Sequence, residues 1–125
     1  MNDSISILLL CDDLIFSSRI AGTAKALGLS IRAEKTMPAL VEFLMQSAPS
    51  CVIVDLHVPG LVLGELLQSV ASLPMRPTLV GYGSHVDAAT LKAGRDAGLD
   101  VVWPRSKFAD ELATALPQWS RRDEV

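Results

Sequence analysis

The chain is poor in cysteine, in aromatic residues and in positive charge. Its 125 residues include two cysteines, and aromatic residues make up 5%. Cys11 ends one predicted strand and Cys51 begins another, which puts them at opposite edges of a parallel sheet, so we expect no disulfide between them. The net charge of −3 gives no reason to expect direct binding of nucleic acid.

Long apolar runs are also missing, so no segment is predicted to span a bilayer as a helix. The first four residues, Met-Asn-Asp-Ser, lack the basic region and the apolar segment of a signal peptide. We therefore expect a cytoplasmic protein that does not contact membranes. A hydrophobic fraction of 50% and a charged fraction of 20% are typical of a compact domain with one core.

Strand and helix patterns alternate along the chain. Short apolar runs bounded by turn residues predict five strands, at 5–11, 29–34, 51–54, 78–82 and 100–103. Apolar residues at spacings of three and four predict five helices between and after them. The first helix covers 14–27 and stops at Gly28, and the second runs from the N-cap Thr36 through Leu44. The third extends from Leu63 to Val70, and the fourth covers 87–97 and stops at Gly98. The fifth is capped by Ser106 and ends at Pro117.

Five strands alternating with five helices predict an α/β fold. The expected architecture is a doubly wound, five-stranded parallel sheet with helices on both faces. We predict a single domain over residues 1–125, with a core at about 4–117 and a polar, frayed tail at 118–125.

Two of the predicted strands are followed by carboxylates. Asp12 and Asp13 follow the first strand, and Asp55 follows the third. Ligands bind at the carboxyl edge of open α/β sheets, where we expect these side chains to meet. Two carboxylates about 4 Å apart repel by roughly 4 kcal/mol at an effective dielectric constant near 20, a cost that a cation removes. The alternative is structural: Asp12 or Asp13 caps the helix that starts near Leu14.

Three groups of residues occur in a familiar order. They are the pair Asp12-Asp13, the segment Asp55-Leu56-His57-Val58-Pro59-Gly60, and Ala97-Gly98-Leu99-Asp100 before the fifth strand. In this order the chain resembles the receiver domains of bacterial two-component response regulators, which have a flavodoxin-like (βα)5 fold. The separation of Asp13 and Asp55 (55 − 13 = 42) fits that family, and the resemblance covers about residues 4–117.

The resemblance implies a phosphoacceptor site. Asp55 would accept a phosphoryl group from a histidine kinase, a phosphotransfer protein or a small phosphodonor. Asp13 would bind Mg²⁺ directly and Asp12 would bind it through water, while Asp55 and the backbone carbonyl of His57 complete the protein ligands. Mg²⁺ prefers such oxygen ligands and retains several waters. The side chain of His57 is expected to be exposed in a loop and to have no role.

The end of the fourth strand departs from the family pattern. Receivers carry Thr or Ser at the position of Gly83, 28 residues after Asp55, and glycine has no side chain to donate to a phosphoryl group. The adjacent Ser84 is the candidate substitute if the loop shifts. Tyr82-Gly83-Ser84 fits an ordinary turn equally well, so both interpretations stay open.

The fifth strand departs as well. Arg105 stands where the family has Lys, and its guanidinium is able to pair with Asp55 or a phosphate through two hydrogen bonds. The alternative is a surface ion pair worth under about 1 kcal/mol. Ser106 replaces the family's next residue, Pro, so the bond before it is expected to be trans. Val102 replaces the aromatic residue that reports activation, and Trp103 is expected to pack instead.

Three functions are compatible with these residues. The first is a receiver that accepts a phosphoryl group on Asp55 and signals through contact with a downstream protein, with at most self-phosphorylation and autodephosphorylation as enzyme activity. The second is a pseudo-receiver that acts as a phosphorylation-independent interaction module. A homodimer through the fourth helix, fifth strand and fifth helix is compatible with either of these two functions. The third is an unrelated α/β enzyme or nucleotide binder, which the missing glycine-rich loop after the first strand argues against.

Overall fold

The computed structural model describes residues 5–121 and contains the ten predicted elements in alternation. The strands are β1 (Ile7–Leu10), β2 (Ile31–Glu34), β3 (Cys51–Asp55), β4 (Thr78–Gly83) and β5 (Val101–Pro104). The helices are α1 (Leu14–Ala26), α2 (Met37–Gln46), α3 (Leu63–Ala71), α4 (Ala88–Ala97) and α5 (Arg105–Trp119). Gly28 and Gly98, the predicted stops of α1 and α4, have positive φ angles of 78° and 109°, which glycine adopts without strain.

The five strands form one parallel sheet in the order β2-β1-β3-β4-β5. This is the flavodoxin-like order, so the predicted fold class is confirmed. The sheet places β3 at its centre, between β1 and β4, and the carboxyl ends of all five strands at one edge. No helix among residues 5–121 is long and apolar enough to cross a membrane.

Alternating side chains of each central strand fill two separate cores. Leu8 and Leu10 of β1 face the core under α2, α3 and α4, whereas Ile7 and Leu9 face the core under α1 and α5. All four are fully buried, as expected for a strand covered by helices on both faces. The second core also contains the buried aromatic residues, which are Tyr82, Phe108 and Trp119.

Helix α5 differs from its prediction at both ends. It begins at Arg105 after the N-cap Pro104 and has no side-chain cap, so the predicted Ser106 cap is wrong. It also continues through Pro117 to Trp119, so the predicted end at Pro117 is wrong. Proline inside a helix costs a hydrogen bond and creates a clash. This cost is offset because the Trp119 ring packs 5.2 Å from the Trp103 ring and 6.0 Å from the Phe108 ring, between centroids.

Residues 118 and 119, which we assigned to a frayed tail, therefore belong to the helix, and Trp119 is 8% exposed. Ser120 is the C-cap of the helix and Arg121 follows it, while the rest of the predicted tail, residues 122–125, lies outside the described residues.

We predict that Trp119→Ala lowers the free energy of unfolding by about 3 kcal/mol, the usual cost of truncating a buried aromatic residue. Gln118→Ala, which changes an exposed residue on the same turn, is the matched control and should alter stability by less than about 0.5 kcal/mol. Urea denaturation of the three proteins measures both values. Equal, small effects would mean that the packed helix ends at Pro117 after all.

Candidate functional site

The carboxyl edge of the sheet brings together most of the residues singled out in the sequence. Asp55 is the last residue of the central strand β3, Gly83 is the last residue of the adjacent β4, and Arg105 follows β5 directly. Asp12 and Asp13 lie just beyond the end of β1, on the other side of β3. Parallel pairing places all of these at one edge.

Asp55 is a buried carboxylate with few partners. Only 3% of it is exposed. Its Oδ1 accepts a hydrogen bond of 2.9 Å from the backbone N–H of His57, and its Oδ2 lies 3.9 Å from Nη2 of Arg105. Burying an ionised carboxylate is costly unless hydrogen bonds and opposite charge compensate it. These two contacts supply part of that compensation, and Oδ2 makes no hydrogen bond within residues 5–121.

Arg105 is held beside Asp55 by aromatic rings. Its guanidinium carbon lies 5.2 Å from the Phe16 ring centroid and 5.9 Å from that of Tyr82, within the range of cation–π attraction. Only one guanidinium nitrogen approaches the carboxylate, so the structure does not contain the two-hydrogen-bond pairing of which the guanidinium is capable. The buried Nε of Arg105 has no hydrogen-bond partner among the described residues.

The hydroxyl of Tyr82 is a second buried polar atom without a well-formed hydrogen bond in the described part of the chain. Tyr82 is fully buried between Phe16 and Phe108, with ring centroids 5.2 Å and 4.6 Å away. Burial foremost, and also the Cys11 thiol and the charge of Asp55, raise the pKa of this hydroxyl, which therefore stays protonated at neutral pH. The Nε of Arg105 thus remains available to an acceptor beside Asp55, whereas the Tyr82 hydroxyl has the Cys11 thiol as its polar neighbour.

Asp13 acts as the N-cap of α1. Its Oδ1 accepts a hydrogen bond of 3.0 Å from the backbone N–H of Phe16, the usual capping geometry. The structural alternative is therefore confirmed for Asp13, while Asp12 is exposed and makes no hydrogen bond or ion pair within residues 5–121. The capping hydrogen bond uses Oδ1 of Asp13, and Oδ2 takes no part in the cap.

The residue types at this edge fit Mg²⁺, but the structure does not assemble them into a closed cluster. Within residues 5–121, no group of three or more His, Cys, Asp or Glu side chains is placed to hold a metal. Asp13 and Asp55 both lie within electrostatic range of the Cys11 thiol, whose pKa is raised mainly by burial and further by these two charges. Mg²⁺ needs only one or two carboxylates because it keeps several waters, so these two carboxylates and the His57 carbonyl suit it chemically.

Neither cysteine is a nucleophile at neutral pH. Burial raises the pKa of Cys51 to about 12 and is also the main reason for the raised pKa of Cys11. A thiol is reactive only as the thiolate, so both behave as small buried apolar residues. Both are free cysteines, as expected.

The side chain of His57 makes a contact that the sequence analysis missed. His57 is exposed, as predicted, but its Nε2 accepts a hydrogen bond of 3.0 Å from the backbone N–H of Ser84. A Cβ atom added at Gly83 would lie only 3.0 Å from the same Nε2. The imidazole therefore fills the space beside the end of β4 where another residue would carry its side chain. The signal in the sequence was the combination of a glycine at the end of the fourth strand, Gly83, and an imidazole just after the end of the third strand, His57.

Ser84 begins the turn that leads into α4. Its Oγ accepts a hydrogen bond of 3.3 Å from the backbone N–H of Val86, and no hydrogen bond joins it to Asp55. Tyr82 and Gly83 belong to β4 and the turn follows them, so the prediction of a turn over Tyr82-Gly83-Ser84 is wrong for its first two residues. The role of Ser84 as a phosphoryl ligand stays a prediction.

Val102 and Trp103 occupy opposite cores. Val102 is 7% exposed and packs with the α4 side of the sheet, so no aromatic ring stands where the receiver family has one. Trp103 packs against Trp119, which confirms the prediction that it packs. The bond before Ser106 is trans, as predicted, because the described residues contain no cis peptide bond.

A cavity of about 540 Å³ opens beside Arg105. The polar groups of its wall come from Arg19, His57, Ser84, His85 and Arg105, and no Asp or Glu of residues 5–121 lines it. A basic cavity with room for an anionic group therefore adjoins the acidic edge.

Comparison with solved structures shows what this arrangement is similar to. The receiver domain of NtrX from Brucella abortus shares 18% identity, over 94% of this chain and 99% of that one, with a TM-score of 0.78. A CheY-like response regulator receiver domain from Methanospirillum hungatei shares 13% identity over 94% of both chains, with a TM-score of 0.78. The phosphorylated cyanobacterial phytochrome response regulator RcpA shares 14% over 93% of this chain and 94% of its own, with a TM-score of 0.75.

No family model and no curated protein matches the sequence. At these identities the structural similarity establishes the fold, and the chain has the fold of response regulator receiver domains. In a longer NtrX structure from Brucella abortus, the similar region is 27% of that chain (19% identity, TM-score 0.76).

We predict that Asp13→Ala is less stable than Asp13→Asn by about 1 kcal/mol, because both remove the charge but only asparagine keeps the cap. The pair Asp12→Ala and Asp12→Asn is the control and should differ by less than about 0.5 kcal/mol. Urea denaturation in the presence of a chelator measures the four values without any metal contribution. Equal stability of the two Asp13 variants would exclude the cap as a stabilising contact.

Proposed function

We propose that this chain is a response regulator receiver domain that accepts a phosphoryl group on Asp55 with the help of Mg²⁺. The observation that carries the proposal is the buried Asp55 carboxylate at the end of the central strand, 3.9 Å from the Arg105 guanidinium, whose buried Nε has no hydrogen-bond partner among the described residues. A buried anion beside an unused donor is the arrangement expected of a group that gains further negative charge.

The two oxygens of Asp55 have different roles in this proposal. Oδ1 accepts the His57 N–H, which leaves Oδ2, the oxygen nearer Arg105, as the nucleophile. Oδ2 attacks the phosphorus of a phosphohistidine or of a small donor such as acetyl phosphate. A new O–P bond forms as the bond from phosphorus to the imidazole nitrogen or to acetate breaks, and the bonding electrons leave with that group. Nη2 and Nε of Arg105 then donate to the phosphoryl oxygens.

Asp13, Asp55 and the His57 carbonyl are the residues that would hold Mg²⁺, with Asp12 acting through water. When bound, Mg²⁺ neutralises charge on the carboxylates and on the phosphoryl oxygens. The cap on α1 uses only Oδ1 of Asp13, so metal binding does not require the helix to lose it.

The remaining expectations belong to this proposal. A histidine kinase or a phosphotransfer protein is the expected donor, and a downstream protein is the expected target. A homodimer through α4, β5 and α5 and a location in the cytoplasm stay predictions. Self-phosphorylation and autodephosphorylation at Asp55 are the only catalysis proposed, and Ser84 would contribute to the site only after a shift of its loop.

A pseudo-receiver is the second candidate function, and one observation favours it. The His57 ring fills the space beside Gly83, and Val102 is aliphatic, so both side chains that report phosphorylation in the family are replaced. A domain with a fixed loop at this place would bind its partner without phosphorylation.

The experiment that separates the two candidates is a thermal-shift titration with Mg²⁺ and then beryllofluoride, a phosphoryl mimic. A ligand present at 100 times its Kd stabilises the folded state by about 2.7 kcal/mol, or roughly 10 °C for a domain of this size. We expect such a shift in the wild type and in Asp110→Asn, an exposed control on α5, and its loss in Asp55→Asn.

Labelling with acetyl phosphate should follow the same pattern, with Mg²⁺-dependent mass gain in the wild type and none in Asp55→Asn. If the folded wild type shows neither a shift nor labelling, the phosphoacceptor function is rejected and the pseudo-receiver remains.

A further inference from the structure

The end of β3 and the end of β4 are joined through one residue. The backbone N–H of His57 donates to Asp55 Oδ1 over 2.9 Å, and Nε2 of the same residue accepts from the Ser84 N–H over 3.0 Å. Nε2 accepts a hydrogen bond only when the imidazole is neutral and carries its proton on Nδ1. His57 thus has one hydrogen bond to the carboxylate and one to the loop before α4.

The loop is in turn fixed to the start of α4. The carbonyl of Ser84 accepts a hydrogen bond of 3.1 Å from the Asp87 N–H. The Asp87 carboxylate caps α4 by accepting two hydrogen bonds from Thr90. The backbone N–H of Thr90 donates one of 3.1 Å, and its hydroxyl donates one of 2.6 Å. These bonds lower the pKa of Asp87, which therefore remains ionised at neutral pH.

Space as well as hydrogen bonding makes His57 and Gly83 depend on each other. A side chain at Gly83 would have its Cβ 3.0 Å from His57 Nε2 and 3.4 Å from Leu91 Cδ2 of α4. A contact of 3.0 Å requires the neighbour to give way by a few tenths of an ångström, and the exposed ring is the part that is able to. Glycine at this position is therefore what allows the imidazole to reach the Ser84 N–H.

We propose that His57 is a positioning residue that couples the state of the Asp55 carboxylate to the β4–α4 loop and the start of α4, in place of the hydroxyl side chain missing at Gly83. As a mechanism of signalling it rests on the proposed function. The coupling itself is a property of the folded chain, so it is testable without phosphorylation. A change of charge at Asp55 alters the hydrogen bond to the His57 N–H, moves the ring, and alters the hydrogen bond to Ser84.

The first test removes only the imidazole. His57→Ala keeps the backbone N–H that Asp55 accepts but leaves the Ser84 N–H without its acceptor. One lost hydrogen bond should raise the amide hydrogen-exchange rate of Ser84 by about three- to tenfold. His57→Gln, which offers a carbonyl oxygen at a similar reach, should restore part of the protection. Unchanged exchange in His57→Ala would overturn the proposal.

The second test is a double-mutant cycle on the coupling. Amide chemical shifts at the start of α4, residues 88–91, are compared in the wild type, Asp55→Asn, His57→Ala and the double variant. We expect Asp55→Asn to shift these amides when His57 is present and to have at most half that effect in the His57→Ala background. Equal effects in both backgrounds, or none in either, would show that His57 does not carry the coupling.

The third test uses the steric dependence. Gly83→Ser should displace the ring and expose the Ser84 amide to faster exchange, as His57→Ala does. In the His57→Ala background, Gly83→Ser should cause no further acceleration, because the ring is already gone. Additive effects would mean that the two residues act separately, which would contradict the proposal.

Beryllofluoride then distinguishes this inference from the proposed function. If both phosphoryl acceptance and the coupling through His57 are right, beryllofluoride should stabilise the wild type and His57→Ala alike. The amides of residues 88–91 should then shift only in the wild type. No stabilisation in either, together with a positive double-mutant cycle, would remove phosphoryl acceptance and leave the coupling. The same amide shifts in both proteins would remove the coupling as the signalling route.

Discussion

The burial of one carboxylate at the end of the central strand is the constraint on which the rest of the site depends. Asp55 is 3% exposed, and a carboxylate in such a place requires hydrogen bonds and opposite charge to remain ionised. The chain supplies a backbone N–H from the next loop and a guanidinium from the start of α5. The positions of His57 and Arg105 are consequences of this requirement, since each lies where it is able to compensate Asp55.

The compensation is partial, and this makes the site suitable for a ligand. The Arg105 guanidinium packs against two aromatic rings. Its Nη2 lies 3.9 Å from Asp55 Oδ2, which is too far for a hydrogen bond, and its Nε has no hydrogen-bond partner in the described residues. On the other side of β3, Asp13 caps the N-terminus of α1 with only one of its two carboxylate oxygens. Electrostatic compensation that is left incomplete in the free protein can be completed by a cation on the acidic side and by an anion on the basic side.

The replacements in this chain are related to one another in three dimensions. Gly83 removes the side chain at the end of β4, and the His57 ring occupies the space beside it. The two changes lie 26 positions apart along the chain (83 − 57 = 26), so no local pattern relates them. In the sheet they are adjacent because β3 pairs with β4. Trp103 and Trp119 are likewise distant in the sequence and in contact in the fold, and their contact stabilises the part of α5 that follows Pro117.

Apolar periodicity and strand-end positions are local properties, so the printed chain was enough to predict the ten elements, the parallel sheet and the edge at which Asp12, Asp13 and Asp55 lie. The resemblance added Arg105 as a candidate and the phosphoacceptor role of Asp55. Only the tertiary structure decided that Asp13 caps α1, that α5 begins at Arg105 and ends at Trp119, and that His57 bonds Ser84. Each of these depends on contacts or backbone geometry that local patterns do not specify, and such contacts can outweigh the cost of an interior proline or a missing cap.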